Sequence, residues 1–493
     1  MQNPTEWKAA TDKGLVIVNS AGNQGLAVSA NPGYFATAVD GDGNLVLGGK
    51  MLIVGAIDQN GNIASWSNKA GHICQSINIA TNTCNDTYKV SDFYILAPGW
   101  TYSTKNDGGY GTMAGTSMAA PYVTGGIGLI SQMWPYMKGE NLVKLLTTTA
   151  CKSTCVRDYN VNIHGSGLLD LDVATRPVGA VGIPTTGRTT SSVSTVSLSG
   201  SGGSGSSLSA IAKSGVLSKV MIVDEFARDF YVDLARGVTL KDKRKYSDVQ
   251  MASQTKLYLP FQQQYGSFDQ GGQFPLFVKG LELGIYNNRS TKGDWSTNLG
   301  YAWEVVPGIK LRTKAGYINE KKTWLGNESS GALSVGENNG SQFAQLGIEY
   351  TLDNNTFSWD IGRNYTDVNT VNNSVITSIN NIRSESMKIG WEKKIDDTSK
   401  WGITYSLPSR VTRGTAKLHI PYATTIDGEV QYKDVHTSLK QTSTEKNIGI
   451  YYSSNSEEDI GWKTSFSLEY RKNIAGVKDE NKIVPGIQIS KKF

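Results

Sequence analysis

The sequence predicts a multidomain chain: an α/β domain built on a parallel sheet, followed by an all-β, roughly twelve-stranded transmembrane antiparallel barrel. Three observations predict it. Short apolar runs and one helical segment fill the chain to about residue 175. A Ser/Gly-rich stretch interrupts it near residue 200. Period-two alternation occupies the rest. A length of 493 residues agrees with two to four domains.

Charge narrows the function. There are 48 Lys+Arg against 43 Asp+Glu, a net charge of +5. That small excess argues against a nucleic-acid binder driven by phosphate neutralisation. No run of 18 apolar residues occurs, so no transmembrane helix is expected. The start, Met1 to Trp7, has neither a basic n-region nor an apolar h-region, and no signal peptide is expected on this chain.

The elements follow in order. In residues 1–176, Leu15-Val16-Ile17-Val18 and Met51-Leu52-Ile53-Val54 read as buried strands, and Ser117 to Trp134 reads as a helix. Residues 177–215 are Ser, Thr and Gly and read as a flexible linker. Residues 216–275 read as a connector without a functional signal; Val220–Val223 and Tyr231–Leu234 suggest a hairpin or a helix–strand connection. Residues 276–493 read as the barrel. Its segments begin near 277, 296, 309, 343, 355, 384, 399, 415, 428, 445, 460 and 483. Short connections (307–308, 353–354, 396–398) interleave with long ones (319–342, 366–383, 473–482), as in outer-membrane barrels. Small or polar residues are expected to face the lumen, with aliphatic and aromatic ones facing lipid. A water-soluble sandwich also alternates. The run of twelve segments, the turn asymmetry and the terminal Phe493 favour the barrel. A final strand ending in an aromatic resembles the assembly signal of bacterial outer-membrane proteins. Ile483, Ile487 and Ile489 share the face of Phe493, and Lys491 departs from it.

The chemistry-bearing segment is Gly111 to Pro121. A Ser between small residues at the start of a helix presents its hydroxyl at the helix N-terminus. The Ser117 N–H is then free to stabilise an oxyanion. Gly115, Ala119 and Ala120 leave room for a substrate, and Pro121 suits a first helical turn.

Gly115-Thr116-Ser117-Met118-Ala119-Ala120-Pro121 resembles the nucleophile motif of subtilisin-like (S8) serine proteases. Val16 to Asn23 resembles the family's strand leading to its oxyanion Asn. Leu52 to Ala56 and Ile63 to Asn68 resemble its next strand and turn, and Leu96-Ala97-Pro98-Gly99 resembles the strand before the Ser motif. The resemblance covers residues 10 to 175 and implies roles. Ser117 is the nucleophile, Asn23 with the Ser117 N–H forms the oxyanion hole, and Ser20, Ala21 and Gly22 line the specificity pocket.

One part of the family pattern is missing. The family order is Asp, His, Asn, Ser, and the 22 residues before Asn23 contain no His. His72 follows the oxyanion Asn and reads as a loop residue. His164 reads as structural, and His419 and His436 belong to the barrel. Asp12 reads as a helix end rather than the orienting carboxylate. The chain therefore resembles the C-terminal part of such a protease, inactive as it stands. Its half-built parallel sheet is expected to fold poorly alone.

Cys74 with Cys84 and Cys151 with Cys155 form two close pairs, which suggest local disulfides in an oxidising compartment; their spacings do not suit zinc. Asp40-Gly41-Asp42-Gly43-Asn44 starts like a calcium loop but has Leu45 and Met51 where Gly and Glu are needed, and reads as a polar turn. Lys241 to Lys245 reads as a solvated basic run.

Taken together, the chain resembles a serine-protease autotransporter of Gram-negative bacteria. That resemblance implies an outer-membrane barrel, display at the cell surface and polypeptide substrates. It also implies partners in outer-membrane lipid and the barrel-assembly machinery, with no nucleic acid and no metal or cofactor in the chemistry; calcium stays open. Two alternatives stand beside it: a non-catalytic outer-membrane barrel carrying a decayed protease remnant, and a secreted soluble protease with a β-rich module.

Overall fold

The computed structural model describes residues 4–26, 35–71, 77–78, 83–84, 88–186, 189–192, 198–200, 210–211, 213–240, 270–287, 293–455, 462–474 and 478–491. They divide into two units. The first is Met1–Val181 with Val223–Phe230 and Thr424–Glu429. The second is Gly182–Ile222, Tyr231–Ala423 and Val430–Phe493.

The first unit opens with helix α1 (Pro4–Asp12), whose last turn is closed by a Lys8–Asp12 ion pair. Strands β1 (Ile17–Ser20), β2 (Met51–Ile57) and β3 (Tyr94–Pro98) form a parallel sheet in the order β1-β2-β3. All seven residues of β2, Met-Leu-Ile-Val-Gly-Ala-Ile, are buried. A continuous apolar run suits a parallel strand covered on both faces. Each large apolar side chain there contributes roughly 1.5–3 kcal/mol of burial. A hairpin of β4 (Trp100–Thr104) and β5 (Tyr110–Ala114) leads into α2 (Thr116–Met133), and α3 (Gly139–Thr149) follows.

Helix α2 buries Thr116, Ala119, Val123, Gly126 and Ile130, a three-and-four spacing that turns one face to the core. Its Gly and Pro content makes it a poor helix by propensity, so packing of this face must hold it. Pro121 sits in the second turn, not the first. The helix begins at Thr116, so the N–H that Pro121 lacks would have bonded the Ser117 carbonyl.

The segment 223–230 is joined to the first unit through a buried ion pair. Arg228 is wholly buried and Asp224 nearly so. Asp224 Oδ2 accepts from Arg228 Nε at 3.0 Å and Nη2 at 2.7 Å. Two more guanidinium hydrogens go to the carbonyls of Ala174 and Arg176. Asp224 also accepts from the N–H groups of Val178, Phe226 and Arg228. The guanidinium lies 4.6 Å from the Trp134 ring, a cation–π distance. Both charges are thus hydrogen-bonded from several sides, as a buried pair requires.

The second unit contains a twelve-stranded antiparallel sheet: β6 (Gln270–Pro275), β7 (Leu281–Asn287), β8 (Trp295–Val306), β9 (Ile309–Glu320), β10 (Asn339–Leu352), β11 (Asn355–Val368), β12 (Ile376–Lys394), β13 (Ser399–Thr424), β14 (Val430–Ser438), β15 (Lys446–Asn455), β16 (Trp462–Lys472) and β17 (Asn481–Lys491). Neighbours in sequence pair in order, except that β13 pairs both β14 and β15. The strands β6 and β17 end the path, and no pairing among the described residues closes it into a barrel. Phe493 lies outside the described residues. Before this sheet, within the Ser/Gly-rich stretch, residues 182–186 and 189–192 form a hairpin, and 220–223 lies beside 182–186.

Two strand expectations are corrected. The segment placed near 277 is two strands, β6 and β7, joined by a turn at 276–280. The segments placed near 399 and 415 are one strand, β13, of 26 residues. Its alternation changes phase at Pro408. Met387 pairs Leu407 but Glu385 pairs Arg410, so β13 carries one extra residue there. That bulge reads in sequence as a strand end. Pro408 is tolerated because the ladder with β15 stops at Ser406.

The two sides of the sheet are unlike. Ser296, Asn298, Ser358, Asp360, Asn364, Asn447 and Ser465 are buried, while Leu299, Trp359, Ile361, Ile450, Leu468 and Ile487 are exposed. Beyond the bulge the pattern inverts. Val411, Ala416, Leu418 and Ile420 are buried together with Ile376, Ile379 and Ile382 of β12, and Arg413 and Thr415 are exposed.

Replacing Asp224 by Ala is expected to destabilise the first unit by about 3 kcal/mol, because it strands the buried Arg228 charge. Amide hydrogen exchange in α2 and 223–230 checks this; unchanged protection there contradicts it.

Candidate functional site

The carboxyl ends of β1 and β2, with the N-terminus of α2, bring the sequence-predicted residues together. Ser20 ends β1 and is half-buried. Ala21 is buried, its N–H donating to the Val54 carbonyl at 2.9 Å. The Gly22 N–H donates to Thr116 Oγ1 at 3.2 Å. Asn23 and Ser117 are exposed.

Asn23 is oriented by Thr116. Its Oδ1 accepts from the Thr116 N–H and from Thr116 Oγ1, both at 3.0 Å. A backbone N–H can only donate, so Oδ1 must face it and Nδ2 must face away. In the first turn of α2, the Thr116 N–H is spent on Asn23, and the N–H groups of Met118 and Ala119 bond the Gly115 carbonyl. The Ser117 N–H and Asn23 Nδ2 have no acceptor among the described residues.

Gly115 leaves the space between those two donors open. Its φ is +154°, a region unfavourable to other residues. A Cβ added there would lie 3.6 Å from Asn23 Nδ2 and 3.7 Å from the Ser117 N. Gly115 is itself held by its N–H bond to the Gly99 carbonyl at 2.9 Å. Gly99 must be Gly because a Cβ would meet that of Ala56 at 2.6 Å.

Asn68 fixes the loop that carries Asn23. Its Oδ1 accepts from the N–H groups of Gln24 and Leu26, and its Nδ2 donates to the Ala21 carbonyl and Gln24 Oε1, all at 2.9–3.0 Å. Its N–H bonds the Gly22 carbonyl, and its own carbonyl accepts from Tyr94 Oη at 2.6 Å. Every side-chain hydrogen-bonding position of Asn68 is used. Sequence reasoning missed Asn68, Thr116 and Gly99 as site-building residues. The only signal was the position of each inside a matched motif.

No histidine among the described residues reaches Ser117. His164 is buried, stacks on Tyr159 and accepts at Nδ1 from the Asn160 N–H at 2.9 Å. Burial pushes its pKa below the usual histidine value. His419 pairs with Asp434 in the second unit, and His72 lies outside the described residues. Asp12 ends α1 and pairs with Lys8. Cys151 and Cys155 are joined by a disulfide. Cys84 lies in a two-residue strand, and Cys74 is outside the described residues. Asp40 turns its carboxylate inward onto the N–H groups of Asp42 and Asn44. Among the described residues no cluster of three His, Cys, Asp or Glu is placed to hold a metal.

Residues 1–188 match the model of the subtilase family, peptidase S8. Subtilisin BL of Lederbergia lenta is 29% identical over 171 residues, covering 34% of this chain and 49% of that protein. M-protease of Shouchella clausii is 30% identical, covering 34% of each. Thermitase of Thermoactinomyces vulgaris is 33% identical over 152 residues, covering 30% of this chain and 42% of that protein. The chain thus spans between a third and a half of the length of these curated relatives. A solved cold adapted subtilisin-like serine proteinase is 22% identical over 33% of this chain and 46% of that one, with a TM-score of 0.23. Residues 1–188 carry a subtilase-family domain.

Two outcomes are expected. Asn68→Ala removes four bonds from the 21–26 loop and costs about 1–3 kcal/mol. Faster exchange of the Gln24 and Leu26 amides checks it, and unchanged exchange contradicts it. For His164, the unfolded chain takes up a proton near pH 6.5 while the folded imidazole resists it. The first unit therefore loses stability as pH falls below about 6.5. Thermal melts at descending pH should show this slope, and His164→Gln should flatten it.

Proposed function

We propose that the first unit is the nucleophile-bearing part of a subtilisin-like serine endopeptidase, carried by an outer-membrane barrel. The observation that supports the catalytic part is the convergence of two unspent donors, Asn23 Nδ2 and the Ser117 N–H, on the space that Gly115 keeps open.

The chemistry follows from that arrangement. Ser117 Oγ adds to a peptide carbonyl, and the carbonyl oxygen becomes negative as the carbon becomes tetrahedral. The two donors are already oriented and need no rearrangement to bind that charge. The amine then leaves with a proton, and water releases the acyl group from Ser117. Ser20, Ala21 and Gly22 form a wall of small residues beside it for a substrate side chain. Proton transfer needs a base and a carboxylate to orient it, and family order puts both before Asn23. The 22 residues there hold no histidine, so the proposed polypeptide cleavage requires a base supplied from outside them. The same fact favours the second reading, a non-catalytic membrane protein with a protease remnant.

The barrel reading is supported by the inverted sheet. Exposed Leu, Ile and Trp on one side and buried Ser, Asn and Asp on the other suit a lipid exterior and a polar lumen. Strand β13 would run about 80 Å at roughly 3.3 Å per residue. A hydrocarbon layer is only about 30 Å thick. The inversion beyond Pro408 then marks the wall's emergence into water, where β12 and β13 revert to apolar inside and polar outside.

Peptide hydrolysis is the test, comparing this chain, a form extended upstream to include an Asp and a His, and Ser117→Ala of each. Activity is expected only in the extended form with Ser117 intact. There, Asn23→Ala should lower kcat by about 10²–10³, a magnitude established on subtilisin itself rather than derived from this geometry. An extended form that stays inert favours the remnant reading. For the barrel, unboiled protein should migrate differently from boiled protein on a gel and should float with vesicles.

A further inference from the structure

The exposed side of the twelve-stranded sheet is apolar at Leu299, Trp359, Ile361, Ile450, Leu468 and Ile487, and it changes character beside Pro408. Across four adjacent strands, Leu346, Ile361, Met387 and Leu407 pair in register and make a continuous apolar row. One step further toward the long connections, the next row reads Ala344, Arg363, Glu385 and Arg410. The two rows line a shared cavity of about 600 Å³. It opens where the bulge at Pro408 disturbs the register of β12 and β13.

The charges in the upper row do not balance. Glu385 is 3.4 Å from Arg363 and accepts from Arg383 Nε at 3.1 Å, so one carboxylate serves two guanidinium groups. Arg410 donates to Thr444 Oγ1, a neutral partner. Two arginines and one glutamate in the row leave a net charge of +1 beside four apolar side chains, and Arg383 outside the row draws further on the same carboxylate. Guanidinium forks bind phosphate oxygens in pairs. An apolar shelf directly below an anion site matches an amphiphile, not a free ion.

We propose that this crevice is a binding site for the phosphate-bearing headgroup of a membrane lipid. Arg363 and Arg410 take the phosphate, and the acyl chains lie along Leu346, Ile361, Met387 and Leu407. The site rests on the membrane reading above. It also fixes a height, because the row change from apolar to charged falls at the level where hydrocarbon gives way to headgroups.

The test uses the full chain in a non-ionic detergent, by native mass spectrometry. Phosphatidylglycerol is the probe, and a diacylglycerol with the same acyl chains is the phosphate-free control. Phosphatidylglycerol should be retained and the diacylglycerol lost. Arg363→Gln with Arg410→Gln should weaken retention about 10-fold or more, and Lys at both positions should restore part of it. Retention unchanged in the Gln pair overturns the site. Displacement by inorganic phosphate at millimolar concentration makes it a free-anion site and overturns the lipid assignment. Lipid-independent pairing of chains through this face overturns it too. Gel mobility and flotation of the same samples separate the two claims. A wild type that floats but retains no phospholipid sinks the site alone, and one that neither shifts nor floats sinks the membrane reading with it.

Discussion

The first unit depends on a strand that water does not reach. Strand β2 lies between β1 and β3 with all seven residues buried, and it can exist only while both its faces stay covered. Because the three strands are parallel, their carboxyl ends open on one rim. The chain leaving β1 reaches Asn23, the chain leaving β2 reaches Asn68, and the chain leaving β3 passes Gly99. Open α/β sheets place ligands at this rim. Helix α2 delivers Thr116 and Ser117 to the same rim, so residues 93 apart in sequence meet at 3.0 Å. Disturbing β2 would therefore move every donor of the site at once.

The two units distribute their apolar residues in opposite ways. In the first, apolar side chains fill the interior, and the buried Arg228–Asp224 pair is enclosed by hydrogen bonds and an aromatic ring. In the second, much of the sheet buries polar residues on one side and exposes apolar ones on the other, and cross-strand pairs such as Arg312 with Asp360 at 3.1 Å sit on the buried side. Water favours the first arrangement and penalises the second by exposing apolar area. One chain carrying both must meet two environments, or else bury the second unit's exterior against something apolar.

Much of this was readable from the sequence, for physical reasons. Ser117 stood out because a Ser among small residues opens a helix, and Asn23 only through the resemblance to subtilisin-like proteases. The strands stood out because a side chain's face in a sheet depends only on parity. What was unreadable depended on distant partners. Asn68 looks like any turn residue until the 21–26 loop folds over it. Arg228 and Asp224 lie in a stretch without periodicity, and their value comes from Trp134, Ala174 and Arg176. Strand β13 was split in two because extra residues beside Pro408 and before Arg413 interrupt its alternation. Pro121 falls in the second turn of a helix that begins one residue earlier than expected, at Thr116, whose N–H Asn23 accepts.

The alternation of β13 behaves like a reading frame. Strand β13 carries two extra residues, one between Leu407 and Arg410 and one between Val411 and Arg413, and the second returns its even-numbered residues to the buried side. Leu418 and Ile420 keep their face only while both are present. Deleting a residue at either bulge alone would turn Leu418 and Ile420 outward and Thr415 and Lys417 inward. Insertions and deletions are usually cheapest in loops. Here two unforgiving positions for a change of length lie inside a strand, and each cancels the other.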